Sequence, residues 1–169
     1  DETLVHWMPT DPGRVINPLD FCNPVASSDC TAGLQAAIDV LDALGGGTIE
    51  FPAGYTFQCA SELDLSRTRN IRFIGTSTGR WYPGTTINLK YTGTGSRFLD
   101  IRSSTGFTCL GMNIRYSNTG FTGTLIEGGH DGSGADAQQM RFRDNVLGGI
   151  EFSLAEAANP ASAHADNAA

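Results

Sequence analysis

Charge is scarce in this 169-residue sequence. Asp, Glu, Lys and Arg make up 17% of it, against roughly 25% in an ordinary soluble domain. One lysine, Lys90, stands beside ten arginines, and the net charge is −7. That balance excludes nucleic acid as the expected partner, because phosphate binding draws its affinity from clustered Lys and Arg. No apolar run approaches the ~18 residues of a membrane span. The four cysteines include no CxxC and no paired His, so structural zinc is excluded too. Glycine is plentiful instead, at 21 residues. With 40% hydrophobic residues and clear strand patterning, the chain can fill a core, which excludes a disordered protein.

The sequence opens at Asp1 without a Met, carries no charged-then-apolar leader and closes on an Ala-rich run. It reads as a piece of a longer chain. Cys22 and Cys30 flank a loop-like stretch, Cys-Asn-Pro-Val-Ala-Ser-Ser-Asp-Cys. A disulfide there would hold the entrance to the following helix and place the protein outside the reducing cytosol. Unpaired thiols are the other reading. Cys59 and Cys109 fall in strand-like segments and suit small apolar filling positions.

Residues 31–44 predict a helix. Asp29 or Thr31 can accept from its first free N–H groups. Leu34, Ala37, Ile38, Leu41 and Leu44 recur at three- and four-residue steps on one face, and Gly45-Gly46-Gly47 stops it. Everything after it reads as short strands and turns. Residues 63–75 align without a gap on residues 99–111, an offset of 36 that keeps Leu63/Leu99, Asp64/Asp100 and Gly75/Gly111 identical. Met140–Asn145 repeats the second strand of that unit. Thr86–Leu89, Asn113–Tyr116 and Gly149–Phe152 form a further recurring set.

Three short strands per repeat, none able to bury its inner side chains alone, predict a solenoid of stacked parallel strands. The expected fold is all-β: a right-handed parallel β-helix with an N-terminal capping α-helix covering the first unpaired strand edges. An irregular segment (1–30) precedes the capping helix and turn (31–47), the coils (48–153) and an Ala-rich tail (154–169). An antiparallel sandwich is the rival, but it explains neither the gapless repeat nor the lone helix. Alternation places Arg72, Asn88, Asp100, Arg115, Arg141 and Glu151 on the outside.

The front of the chain resembles the pectate-lyase (pectin-lyase-like) superfamily. The likeness rests on Val15–Phe21, on Asp29-Cys-Thr-Ala-Gly-Leu-Gln-Ala-Ala-Ile-Asp39, and on Gly45-Gly-Gly-Thr-Ile-Glu-Phe-Pro-Ala-Gly-Tyr55. It covers residues 15–58 closely and the remainder through coil pattern. Cys22 and Cys30 depart from the family's Gly and Asp, at the two ends of one loop. The coil style of Gly95–Ser104 and Phe121–Glu127 is similar to the β-helix domains of phage tail spikes and fibres. The resemblance implies the parallel β-helix and an engagement with polysaccharide. The family's catalytic residues lie on later coils, so none is carried over.

The residues themselves offer candidates. Hydrolysis at a glycosidic bond needs two flanking carboxyl groups, one protonated and one ionised. Asp64 and Asp100 stack as outward neighbours if no coil intervenes, which makes them the catalytic candidates. Glu127 and Asp144 follow, although a one-residue ambiguity in aligning 124–127 decides which way Glu127 faces. Paired with Arg102, Arg143 and their like, the same carboxylates are an ordinary surface ladder, as are the expected pairs Arg115/Glu151 and Glu50/Arg72. Trp81 and Tyr82, with Arg80, lie in the longest turn and suit stacking on sugar rings. Asp131, Ser133 and Asp136 faintly suggest a calcium loop but lack its spacing; otherwise no cofactor or metal is expected. The expected function is a polysaccharide-engaging receptor-binding module of tail-spike or fibre type, a homotrimer or other homo-oligomer at an extracellular or virion surface. The alternatives are a secreted polysaccharide lyase or glycoside hydrolase, and a structural stalk or filament subunit.

Overall fold

The computed structural model describes residues 14–25, 28–76, 87–132 and 137–148. Their order is β1 (Val15–Ile16), a 3-10 turn at Pro18–Asp20, α1 (Thr31–Ala43), β2 (Gly47–Glu50), β3 (Phe57–Cys59), β4 (Leu63–Asp64), β5 (Ile71–Ile74), β6 (Leu89–Tyr91), β7 (Arg97–Asp100), β8 (Thr108–Leu110), β9 (Asn113–Tyr116), β10 (Thr124–Glu127), β11 (Arg141–Arg143) and β12 (Val146–Gly148). All the pairings are parallel. They build three sheets: β1-β2-β5-β8-β11 (sheet A), β3-β6-β9-β12 (sheet B) and β4-β7-β10 (sheet C). From β2 onward the chain visits A, B and C in fixed rotation, so each circuit lays one new strand on every sheet. The described part is predominantly parallel β with one helix, which excludes the antiparallel sandwich.

The 36-residue offset is the observed register, with Leu63 opposite Leu99 and Asp64 opposite Asp100. Side chains of one parity line up across circuits and bury together. Ile49, Phe73, Cys109 and Phe142 form one such column on sheet A, and Phe57, Leu89, Ile114 and Leu147 another on sheet B. On sheet C, Leu63, Leu99 and Ile126 follow suit. The three sheets and α1 share one apolar core. An aromatic run, Phe51, Phe73 and Phe107, crosses it at 5.4 Å steps in edge-on contacts, the geometry the ring quadrupoles favour. Cys109 fills a place in the sheet A column, and Cys59, opposite Tyr91 on sheet B, is buried too; burial raises both thiols above their ordinary range.

One corner recurs in every circuit. Gly46, Asn70, Gly106 and Gln139 precede β2, β5, Phe107 and Met140, and all have positive φ (123°, 54°, 77° and 57°). Glycine takes this conformation without steric cost and Asn tolerates it. At Gly46 a Cβ would also meet the Asn70 side chain and backbone at under 3 Å.

The N-terminal part closes the first edge of each sheet by a different device. Sheet A receives β1, with Val15 opposite Thr48. Against sheet B, Asp29 bridges Gln58, and the Cys30 N–H donates to the Gln58 carbonyl at 2.7 Å. The Asp29 carboxylate accepts from the N–H groups of Thr31 and Ala60 at 2.9 and 3.1 Å, joining helix start to strand end. These bonds outweigh its partial desolvation and hold its carboxyl below the usual range. On sheet C the Gln35 side chain acts as a one-residue strand. Its Nε2 donates to the Asp64 carbonyl and its Oε1 accepts from the Asp64 N–H, both at 2.9 Å. Gln35→Leu leaves both backbone groups of an edge strand unpaired. It is expected to lower stability by about 1–3 kcal/mol in urea unfolding, whereas substituting exposed Ala36 changes little.

Helix α1 buries Leu34, Ala37, Ile38 and Leu41 as its period predicts. Leu44 differs: it lies beyond the last helical turn and is exposed. Asn88, expected outside, is fully buried where the chain turns into sheet B. There its Oδ1 accepts from the Asn113 N–H at 2.9 Å. The recurring set containing it is also out of register by two residues. Leu89 lies opposite Ile114 rather than Tyr116, and β12 at Val146–Gly148 follows β9. Glu50 likewise lies opposite Ile74, while Arg72 faces Thr48, so these two do not pair. Glu151 lies outside the described residues.

Candidate functional site

The outer side of sheet C gathers the carboxylates. Asp64, Asp100 and Glu127 end β4, β7 and β10, and the register sets Asp64 opposite Asp100 and Asp100 opposite Glu127. The alignment ambiguity is resolved: Thr124 falls opposite Arg97, which puts Glu127 on the same side as Asp100. The three residues therefore stand in a row, their backbones one inter-strand spacing (~4.8 Å) apart.

Two guanidinium groups organise the row. Arg97, at the start of β7, donates from Nε to Glu62 at 2.7 Å and from Nη1 to Glu127 at 2.9 Å. Its Nε also lies 3.6 Å from Asp100. One side chain thus ties three successive circuits. Arg102 closes on Asp100 with a two-pronged contact, Nε to Oδ1 at 2.9 Å and Nη2 to Oδ2 at 2.6 Å, and its backbone N–H adds a third bond to Oδ1 at 3.1 Å. Paired planar groups of this kind make the strongest side-chain ion pairs.

These contacts set the charge state of Asp100. Sequence alternation predicts an exposed carboxylate, yet the residue is only 3% exposed because the two arginines lie over it. Burial alone would raise its carboxyl. The hydrogen bonds and positive charge of Arg102, with the charge of Arg97, outweigh burial and hold it below the usual carboxylate range. The same pairing raises Arg102 above the ordinary arginine range. Asp100 is therefore ionised at neutral pH, which suits a hydrogen-bond acceptor and is wrong for a proton donor. Asp64 is exposed, and its Oδ1 accepts from the Ser66 N–H at 2.8 Å.

A second set of bonds stitches the turns beyond these strands. Asp131 accepts from Ser103 Oγ at 2.8 Å and from Arg67 Nε, and its own N–H donates to Ser103 Oγ at 3.1 Å. Asp131, a residue of the weak calcium motif, thus has its carboxylate engaged. Ser133 and Asp136 lie outside the described residues. Among the described residues, no three His, Cys, Asp or Glu side chains are grouped to hold a metal, and no helix is long and apolar enough to cross a membrane.

The sequence candidates thus separate. Asp64, Asp100 and Glu127 come together. Asp144 lies apart, exposed beside Arg143 at 3.3 Å. Arg80, Trp81 and Tyr82 lie outside the described residues. Arg97, Arg102 and Glu62 complete the row; Arg102 pairs with Asp100 as the surface-ladder reading expects, whereas Arg97 and Glu62 were not singled out from the sequence. Cys22 and Cys30 are free thiols here, neighbours rather than the disulfide the spacing allowed. Compared with family models, curated proteins and solved structures, the chain matches none.

Proposed function

We propose that this chain is a polysaccharide-engaging module, a right-handed parallel β-helix of the pectin-lyase-like kind, carried by a tail-spike or fibre-type receptor-binding protein. It works at an extracellular or virion surface as a homotrimer. The observation that carries this reading is the in-register row of Asp64, Asp100 and Glu127 with Arg97 and Arg102 beside it. Exposed Asp64 and partly exposed Arg97, Arg102 and Glu127, lying either side of buried Asp100, offer a polymer acceptors and donors on successive circuits. Sugar hydroxyls both donate and accept, so a mixed carboxylate and guanidinium track suits them. The excess of carboxylates over guanidinium groups in the row favours neutral over polyanionic glycans.

Retention without cleavage is the favoured mode at this face. Glycoside hydrolysis needs a protonated carboxyl opposite an ionised one, and the arginine clamp keeps Asp100 ionised. The structural-stalk reading has one observation of its own: Arg97 bridges Glu62, Asp100 and Glu127, and so reinforces the stack whether or not a ligand binds.

The test incubates the chain with a panel of bacterial surface polysaccharides and reads retention, new reducing ends and unsaturated products. Retention of a neutral glycan without product is expected. Product formation that Asp64→Asn abolishes would move the chain to the lyase or hydrolase class. A panel without retention or product would leave the stalk. Light scattering is expected to give three times the monomer mass.

A further inference from the structure

We propose that Cys22 and Cys30 form a thiol–disulfide switch that fastens the start of α1 to the segment before it. The present structure is its reduced state, with both thiols free. Three observations bring the pair together. Cys30 is the residue on which α1 begins, and it is buried. Cys22 packs against the same core, its Sγ reaching the Pro18 carbonyl at 3.5 Å. Gly33, three residues into the helix, lies so close that a Cβ there would meet the Phe21 carbonyl oxygen at 2.4 Å and the Cys22 Cβ at 2.8 Å. The first helical turn is thus seated directly on Phe21 and Cys22, which sets Cys22 beside the helix start at Cys30.

The chemistry runs through a small disulfide such as oxidised glutathione. Cys22 is the half-buried, accessible thiol and attacks first. Its thiolate bonds to one glutathione sulfur and expels the other as a thiolate, which takes up the proton Cys22 released. The Cys30 thiolate then attacks the Cys22 sulfur and expels the second glutathione, which takes up the Cys30 proton. Two protein thiols are oxidised by two electrons, and one glutathione disulfide is reduced to two thiols. Burial, with the neighbouring Cys30, pushes the Cys22 thiol up to about 12. Exchange is accordingly slow at neutral pH and quickens as pH rises. Once formed, the bond closes a short loop and locks the Asp29, Cys30 and Gln35 contacts that cover the edges of sheets B and C.

The experiment oxidises the native chain with oxidised glutathione at pH 8.5, blocks the remaining thiols, and cleaves on the amino side of aspartate. This cut separates Cys22 from Cys30, and both from Cys59. The expected result is one disulfide joining the peptides that begin at Asp20 and Asp29, with Cys59 and Cys109 blocked. The thermal midpoint should rise by roughly 5–10 °C, fall back on reduction, and not respond in Cys22→Ser. Free thiols at both positions, a bond from Cys30 to Cys59, or the same thermal shift in Cys22→Ser would overturn the proposal.

Discussion

Replacing Asp100 with alanine is expected to cost about 3 kcal/mol of stability, the lower part of the range for breaking one side of a buried ion pair. The carboxylate accepts three hydrogen bonds from Arg102 and faces Arg97 as well. Its removal leaves the Arg102 guanidinium, about three-quarters covered by protein, with Glu127 at 3.9 Å as its nearest carboxylate, while Arg97 keeps Glu62 and Glu127. The remaining access of Arg102 to water keeps the loss at the low end. The sign of the pH dependence follows from the same contacts. Asp100 titrates lower in the folded chain than the ~3.9 of an unfolded Asp. Its stabilisation is therefore complete above pH 4 and lost as pH falls from there through the folded value. Urea midpoints measured from pH 7 to pH 2 should show this acid loss in the wild type and a smaller one in Asp100→Asn. A flat profile in the wild type would separate Asp100 from the acid response.

Phe73→Ala carries the other large effect, about 3–5 kcal/mol. The ring is buried in sheet A and touches Phe51 on one side and Phe107 on the other, each 5.4 Å away. Deleting it removes both edge contacts and opens a void that three circuits border. Arg72, one residue earlier and exposed, serves as the control, because alanine there should stay within about 0.5 kcal/mol. Equal effects at the two positions would mean that sheet A buries the other face.

The residues explain which parts of this arrangement could be read in advance. The α1 face was legible because four buried positions repeat at helical steps, and it failed only at Leu44, where the helix had already ended. The Leu63/Leu99 register was legible because identical residues and a gapless offset specify it. The Thr86–Leu89 set slipped by two because a period-two pattern keeps the same faces under that shift, so alternation offers nothing against it. Glu127 was undecided for the opposite reason. A one-residue shift flips the face, but Leu125 and Ile126 are both apolar and both buried, so neither register looked wrong. Within the site, Asp64 and Asp100 were legible from the repeat. The burial of Asp100 was not, since it depends on two arginines that fold over it. Glu62 and Arg97 are 35 residues apart and meet only because of the 36-residue register.

The row on sheet C is tested most directly by electrophoresis through gels cast with the neutral polysaccharides of the panel. The account predicts that the wild type is retarded by at least one of them. It also predicts that Asp64→Asn combined with Glu127→Gln loses most of that retardation while its thermal midpoint stays within a few degrees. Retardation that survives the double substitution, or none with any glycan, would contradict it.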